Sequence, residues 1–196
     1  MTAIHSIAVF CGSRPGADPA FAEAARALGL GMAAAGIRLI YGGGQVGLMG
    51  QVADGVLAGG GKVLGIIPDF LMQREVAHPG VEMVVTDSMH SRKLRMFEES
   101  DAFVTMPGGL GTFDETFEII TWRQLGLHDK PILICDVAGW ARPLAGLVDA
   151  AVASGFAYPS SRALFEVCDG VPALLHRLRQ LPGRIASEPA EAVERL

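Results

Sequence analysis

Residues Ile37 to Gly50 read IRLIYGGGQVGLMG, an apolar run that breaks into glycines and resumes with the spacing of a helix. Ile37 to Tyr41 suits a short strand, and Gly42 to Gly50 supplies a tight loop and a helix start. An alanine-rich helix continues to Ala58, a triple glycine stops it, and Lys62 to Ile67 forms the next strand, closed by Pro68. Strand, helix and strand within about thirty residues make a βαβ unit.

The same alternation extends in both directions. Upstream, Ser6 to Cys11 (SIAVFC) is an apolar strand ended by Gly12, and Asp18-Pro19 supplies an N-cap and first helical residue. Phe21, Ala25, Leu28 and Met32 then recur at helical spacing, and Gly36 stands where a glycine ends a helix. Downstream, Val81 to Val85 is a strand, Asp87 or Ser88 caps a helix to Ser100, and Ala102 to Met106 is a further strand. PGGLGTFDETFEIITWRQLG (Pro107 to Gly126) reads as a glycine loop and helix, and Pro131 to Cys135 (PILIC) as the last clear strand. Helices follow over Trp140 to Ser154 and Val171 to Leu181.

Apolar strands without in-out alternation require cover on both faces, so the fold class is α/β: three layers, with a mainly parallel sheet flanked by helices. Residues 1–181 are expected to form one domain and 182–196 a polar tail. In such sheets ligands sit at the carboxyl ends of strands.

Composition narrows the classes further. With 50% hydrophobic and 19% charged residues, the 196-residue chain has ample material for a core. Its 25 glycines, about one residue in eight against a usual ~7%, imply sharp turns or close backbone approaches to a ligand. A formal charge of -5 with pI near 5.5, and no dense basic run, argue against nucleic-acid binding, although a small anion needs only local positive charge. Cys11, Cys135 and Cys168 are odd in number and far apart, which fits a reducing, cytoplasmic compartment. No cationic leader and no uninterrupted apolar stretch of about 18 residues occur, so neither secretion nor a membrane span is expected.

Two glycine loops carry the candidate chemistry. Gly42, Gly44 and Gly47 satisfy GxGxxG between strand and helix, with Asp69 near the position of a dinucleotide fold's ribose-binding acid. Against that reading, the unit is the second βα of the chain and Pro68 intervenes. A phosphate or ribose contact, or glycines that only let helix and strand pack, are the other readings of this loop. Pro107-Gly108-Gly109-Leu110-Gly111-Thr112 leaves an apolar strand and opens a helix whose free N–H groups and dipole favour a phosphate. Glu115 falls in the first turn, where Asp114, Glu115 and Glu118 also serve as ordinary complements to the dipole. Phe113, Phe117 and Ile120 form the expected buried stripe; Glu115, Glu118 and Trp122 share another face, where Trp122 either lines a base pocket or packs. Arg92 and Lys93, in SMHSRKLRMFEES, read on their own as part of a solvated charged face, with Arg95 and Glu99 an i,i+4 pair. No CxxC or HExxH spacing supports a metal site and no GxSxG elbow a serine nucleophile.

In combination, GGGQVGLMG (42–50), SMHSRK (88–93) and PGGLGTFDE (107–115) resemble the LOG (Lonely Guy) family of cytokinin riboside 5'-monophosphate phosphoribohydrolases, in matching order from the first strand to about residue 180. The resemblance implies a Rossmann-like homodimer, or an assembly of dimers, that cleaves the N-glycosidic bond of adenine-type nucleoside 5'-monophosphates and needs no cofactor. Some relatives carry an older label of lysine decarboxylase, but pyridoxal chemistry requires a Schiff-base lysine, and this chain offers only Lys62, Lys93 and Lys130.

By position in the motifs, the resemblance makes Arg92 and Glu115 the catalytic residues. It assigns Glu75, Lys93, Gly43, Gly44, Met49, Pro107, Gly108, Gly109, Leu110, Gly111, Thr112, Phe113, Asp114 and Thr121 to the nucleotide site, with no metal. Thr121 falls off the Glu115 face of its helix. A carboxylate beside the sugar stabilises the positive charge of glycosidic cleavage or activates water. Arg92 donates to the departing base or orients the phosphate or Glu115, since a guanidinium is a poor proton donor. Lys93 adds point charge for the phosphate. A non-catalytic nucleotide-binding or carrier protein on the same fold is the rival reading.

Overall fold

The computed structural model describes residues 4–72 and 77–181. The expected tail, 182–196, and Glu75 lie outside the described residues. Seven strands alternate with helices in the order β1 (Ser6–Phe10), α1 (Pro19–Ala34), β2 (Arg38–Tyr41), α2 (Gly47–Ala58), β3 (Val63–Pro68), α3 (Asp69–Met72), β4 (Glu82–Thr86), α4 (Met89–Glu98) and β5 (Ala102–Thr105). There follow α5 (Leu110–Gln124), β6 (Ile132–Asp136), α6 (Arg142–Ala153), a 3₁₀ turn (Pro159–Leu164), β7 (Glu166–Asp169) and α7 (Gly170–Gln180).

The sheet order is β4-β3-β2-β1-β5-β6-β7, and all six strand pairs are parallel. Successive residues of each central strand enter opposite cores, which is why the strands read as continuous apolar runs. Ile7, Val9, Leu39, Tyr41 and Val104 face α1, α2 and α7 through Leu28, Met32, Val52, Val56 and Leu174. Ala8, Phe10, Ile40, Phe103 and Ile134 face α4, α5 and α6 through Met96, Phe97, Ile119 and Leu144.

The helix starts follow from local chemistry. Asp18 accepts a hydrogen bond from Ala20 N with Pro19 at the first helical position. Ser88, one of the two expected caps, forms a capping box with Ser91. Two details differ from the sequence expectation. The strand β7 follows PILIC: its four residues, EVCD, bury only Cys168 and sit at the sheet edge, so they carry no apolar run to reveal them. The first turn of the expected 140–154 helix is lost because Asp136 accepts a hydrogen bond from Ala141 N and holds that segment as a turn. No described helix is long and apolar enough to cross a membrane.

Helices α1 and α2 cross backbone to backbone. A Cβ added at Gly29 would lie 2.9 Å from Gly55 Cα and would collide with the Val52 carbonyl. Gly29→Ala is therefore expected to lower unfolding stability in urea by ~1–3 kcal/mol through overpacking. Gly146→Ala, on α6 where an added Cβ meets nothing within 4 Å, should instead be neutral or stabilising by up to ~1 kcal/mol.

Candidate active site

The order of strands reverses direction between β1 and β5: the chain winds outward from β1 through β2, β3 and β4, then returns to place β5 on the other side of β1. Connections leaving β1 and β5 therefore diverge to opposite faces and leave a crevice at their carboxyl ends. A cavity of about 630 Å³ occupies this point. Its lining comes from the loop Cys11, Gly12, Ser13, Arg14, Pro15 and Gly16, from Phe21 on α1, and from Leu48 and Met49 at the start of α2. Met89 and Arg92 of α4, Pro107 to Thr112, Asp114 and Glu115 around the start of α5, and Trp140 complete it.

Threonines anchor α5 to the sheet beneath the cavity. Thr116 Oγ1 donates to the Thr112 carbonyl at 2.6 Å, so the 2.8 Å contact between Thr105 and Thr116 hydroxyls has Thr105 as donor. Leu110 stands at the first position of α5, and Gly109 caps it without a side-chain hydrogen bond, leaving the first-turn N–H groups open toward the cavity. The dipole of this 15-residue helix adds positive potential at the same place.

Arg92 and Glu115 meet on the cavity wall. The Arg92 Nη2 to Glu115 Oε1 distance is 3.8 Å, with side chains only 8% and 13% exposed. Arg92 Nη1 lies 3.7 Å from Met89 Sδ, and its Nε is buried without a hydrogen-bond partner. The guanidinium occupies space vacated by a missing side chain, since a Cβ at Gly42 would collide with Nη2. Burial pushes the Glu115 carboxyl up to about 7, against the opposing pull of Arg92 and then Lys93. Cys11, on the same wall, is held as a neutral thiol, its ionisation raised by burial and by the charge of Glu115.

The family model described as "Possible lysine decarboxylase" matches residues 49–178. A protein of Rhodococcoides fascians named cytokinin riboside 5'-monophosphate phosphoribohydrolase is 40% identical over 176 residues, which cover 89% of both chains. The chain belongs to the LOG family of phosphoribohydrolases. A rice protein named as a probable enzyme of the same activity is 46% identical over 89% of this chain and 77% of its own length. An Arabidopsis thaliana enzyme of that name is 39% identical over 97% and 91%. Among solved structures, the molybdenum cofactor binding protein of Rippkaea orientalis superposes with a TM-score of 0.68 at 21% identity, covering 90% of this chain and 96% of that one. The carrier protein for that cofactor from Chlamydomonas reinhardtii superposes with a TM-score of 0.66 at 19% identity, over the same shares of the two chains. These two share the fold.

Of the residues expected from the LOG motifs, Met49, Arg92, Pro107 to Thr112, Asp114 and Glu115 line this cavity. Others do not. Lys93 turns beneath α5, where its ammonium lies 2.7 Å from Asp114 and 3.2 Å from Glu118. Gly43 and Gly44 hold the next segment: the Gly43 carbonyl accepts from His78 N, and Gly44 bridges Ala77. Phe113 stacks on Trp140, which lines the cavity, with ring centroids 5.6 Å apart. Thr121 is exposed and donates to the Phe117 carbonyl at 2.7 Å.

The faces of α5 also differ from the expected stripe. Thr112, Thr116, Ile119, Ile120 and Trp122 are the buried positions, while Phe113 and Phe117 are half-buried. Trp122 packs edge-on against Phe97 at 5.3 Å, so it takes the packing alternative. The loop Cys11–Gly16, Phe21, Leu48, Met89 and Trp140 were not expected. The loop's signal was positional: it follows the first strand of a sheet whose second glycine loop follows the strand paired beside it.

Glu115 holds its proton more tightly folded than unfolded, with about 7 against an ordinary 4.5. Its ionisation therefore costs stability progressively as pH rises through this window, and the cost is absent below the unfolded value. Glu115→Gln removes that cost. The difference in Tm between Glu115→Gln and the parent is expected to shift in favour of the variant by several degrees from pH 4.5 to pH 8, measured by calorimetry. A pH-independent difference would contradict the burial described.

Proposed function

We propose that this chain hydrolyses the N-glycosidic bond of N6-modified adenosine 5'-monophosphates, releasing the free base and ribose 5-phosphate. The observation that carries the reading is the buried Glu115 facing Arg92 beside the open start of α5, in a cavity at the switch point of the sheet. Relatives at 40% and 39% identity over most of their lengths carry the name of this activity.

The chemistry follows from the charges. An anionic phosphate docks on the N–H groups of Gly109 to Thr112, where no acidic side chain precedes the helix. That places the ribose toward Glu115. As the bond from C1' to the base nitrogen breaks, its electron pair leaves with the base and positive charge builds on the sugar. The Glu115 carboxylate stabilises that charge and accepts a proton from the water whose oxygen bonds to C1'. An equivalent proton reaches the departing base nitrogen, so that neutral base is released and Glu115 returns to the carboxylate. Arg92 hydrogen-bonds the departing base or holds Glu115. Phosphate binding far from C1' supplies binding energy that holds the sugar for reaction. A free nucleoside forfeits that energy.

A lysine-dependent decarboxylation receives no support from the lysines. Among the described residues, none lines the cavity. Lys93 is engaged by two carboxylates, and Lys130 is buried with its ammonium 3.8 Å above the Phe97 ring. A pure binding protein remains the second reading, favoured by the carrier proteins that share the fold. Glu115 separates the two, because base release needs a carboxylate beside the sugar and binding does not.

Incubation with AMP and with isopentenyladenosine 5'-monophosphate, followed by chromatography, should show free base and ribose 5-phosphate, with the corresponding nucleosides inert. Glu115→Gln should retain nucleotide affinity and lose base release by about 10³-fold. With Glu115 acting as a carboxylate, kcat/KM should fall about tenfold per pH unit below about 7. Binding without release by the parent protein would move the assignment to the carrier reading.

A further inference from the structure

We propose that Arg14 is the cation that neutralises the substrate's 5'-phosphate and sets the preference for nucleotides over nucleosides. The inference rests on the phosphoribohydrolase reading and adds to it a binding residue that the family motifs do not mark.

The argument begins with a charge count on the cavity wall. The charged side chains lining it are Arg14, Arg92, Asp114 and Glu115. Arg92 faces Glu115 at 3.8 Å. Asp114 is satisfied from below by Lys93, whose second partner is Glu118, and Lys93 itself does not reach the cavity wall. With Asp114 paired to Lys93 and Glu115 to Arg92, Arg14 is the lining cation left for a ligand. A phosphomonoester is close to a dianion at neutral pH. Backbone N–H groups and a helix dipole supply only about half a charge against it. Arg14 is exposed, and no ion pair among the described residues engages it.

The backbone around Arg14 is fixed where the phosphate is expected. Two residues before it, Gly12 N donates to the Pro107 carbonyl at 3.0 Å, immediately before the glycines that open α5. The Gly12 carbonyl in turn accepts from Leu48 N at 3.0 Å and Met49 N at 3.3 Å, in the first turn of α2. The loop after β1 is thus tied to both glycine-rich segments. A long flexible guanidinium leaves an anchored stem and shares a wall with open N–H donors. Bidentate pairing with a phosphate is the geometry for which arginine is best suited.

The test is equilibrium binding of ribose 5-phosphate, of ribose and of adenine to the parent, Arg14→Ser and Arg14→Lys proteins by calorimetry, with steady-state kinetics on AMP alongside. Arg14→Ser should weaken ribose 5-phosphate binding and raise KM for AMP by about tenfold or more. The same variant should leave adenine binding unchanged, and Arg14→Lys should recover part of the loss. The weakening should shrink as salt is raised, because a solvent-facing cation is screened. Unchanged ribose 5-phosphate affinity in Arg14→Ser overturns the proposal, as does equal weakening of adenine, which would put Arg14 over the base. Because this binding readout needs no turnover, absence of base release by the parent would overturn the enzymatic reading while Arg14 is still judged.

Discussion

The reversal of winding between β1 and β5 is the constraint on which the rest of the molecule depends. Parallel strands need crossovers, and crossovers need both faces of the sheet, so a chain that runs to one edge must return to its centre to build the other half. The return leaves β1 and β5 paired in register while their outgoing connections part. Everything chemical is hung on that parting. The loop after β1 and the glycines after β5 are held together by one backbone hydrogen bond from Gly12 to Pro107. The start of α2 and the face of α4 close the remaining sides.

The electrostatics of the crevice are a balance held at unequal strength. Burial raises Glu115 toward neutrality, and Arg92 pulls it back only in part, across 3.8 Å rather than a close bidentate contact. A tighter pair would hold the carboxylate as an anion well below neutral pH and would hold it away from a substrate. The looser one leaves both groups with unspent capacity, and the Nε of Arg92 is in addition buried without a partner. Such unsatisfied buried groups cost stability and concentrate where function needs them.

Most of the fold was legible because buried parallel strands and capped helices leave strong local marks: Asp18-Pro19 and Ser88 start their helices as read, and six of the strands stand where apolar runs placed them. The edge strand β7 left no such mark, since a short strand with one buried residue has no pattern to read. At the site, the second glycine loop and Glu115 were visible from their place at a strand-to-helix junction. Arg92 and Lys93 were not separable by local reasoning. They are neighbours in one helix, yet one turns into the cavity and the other under α5, and that choice is made by α5 and the Gly42 segment, distant in sequence. Arg14 was passed over because a lone arginine in a Pro/Gly loop carries no periodicity, and only the three-dimensional charge count singles it out.

The two glycine runs look alike on paper and are used differently in space. The run at Gly42 is a mould for a guanidinium, shaped by the absence of a side chain that Arg92 would otherwise meet. The run at Gly108 to Gly111 presents bare donors at the start of a helix. One run is thus filled by the protein's own side chain, while the other is left bare for a partner that the chain does not supply.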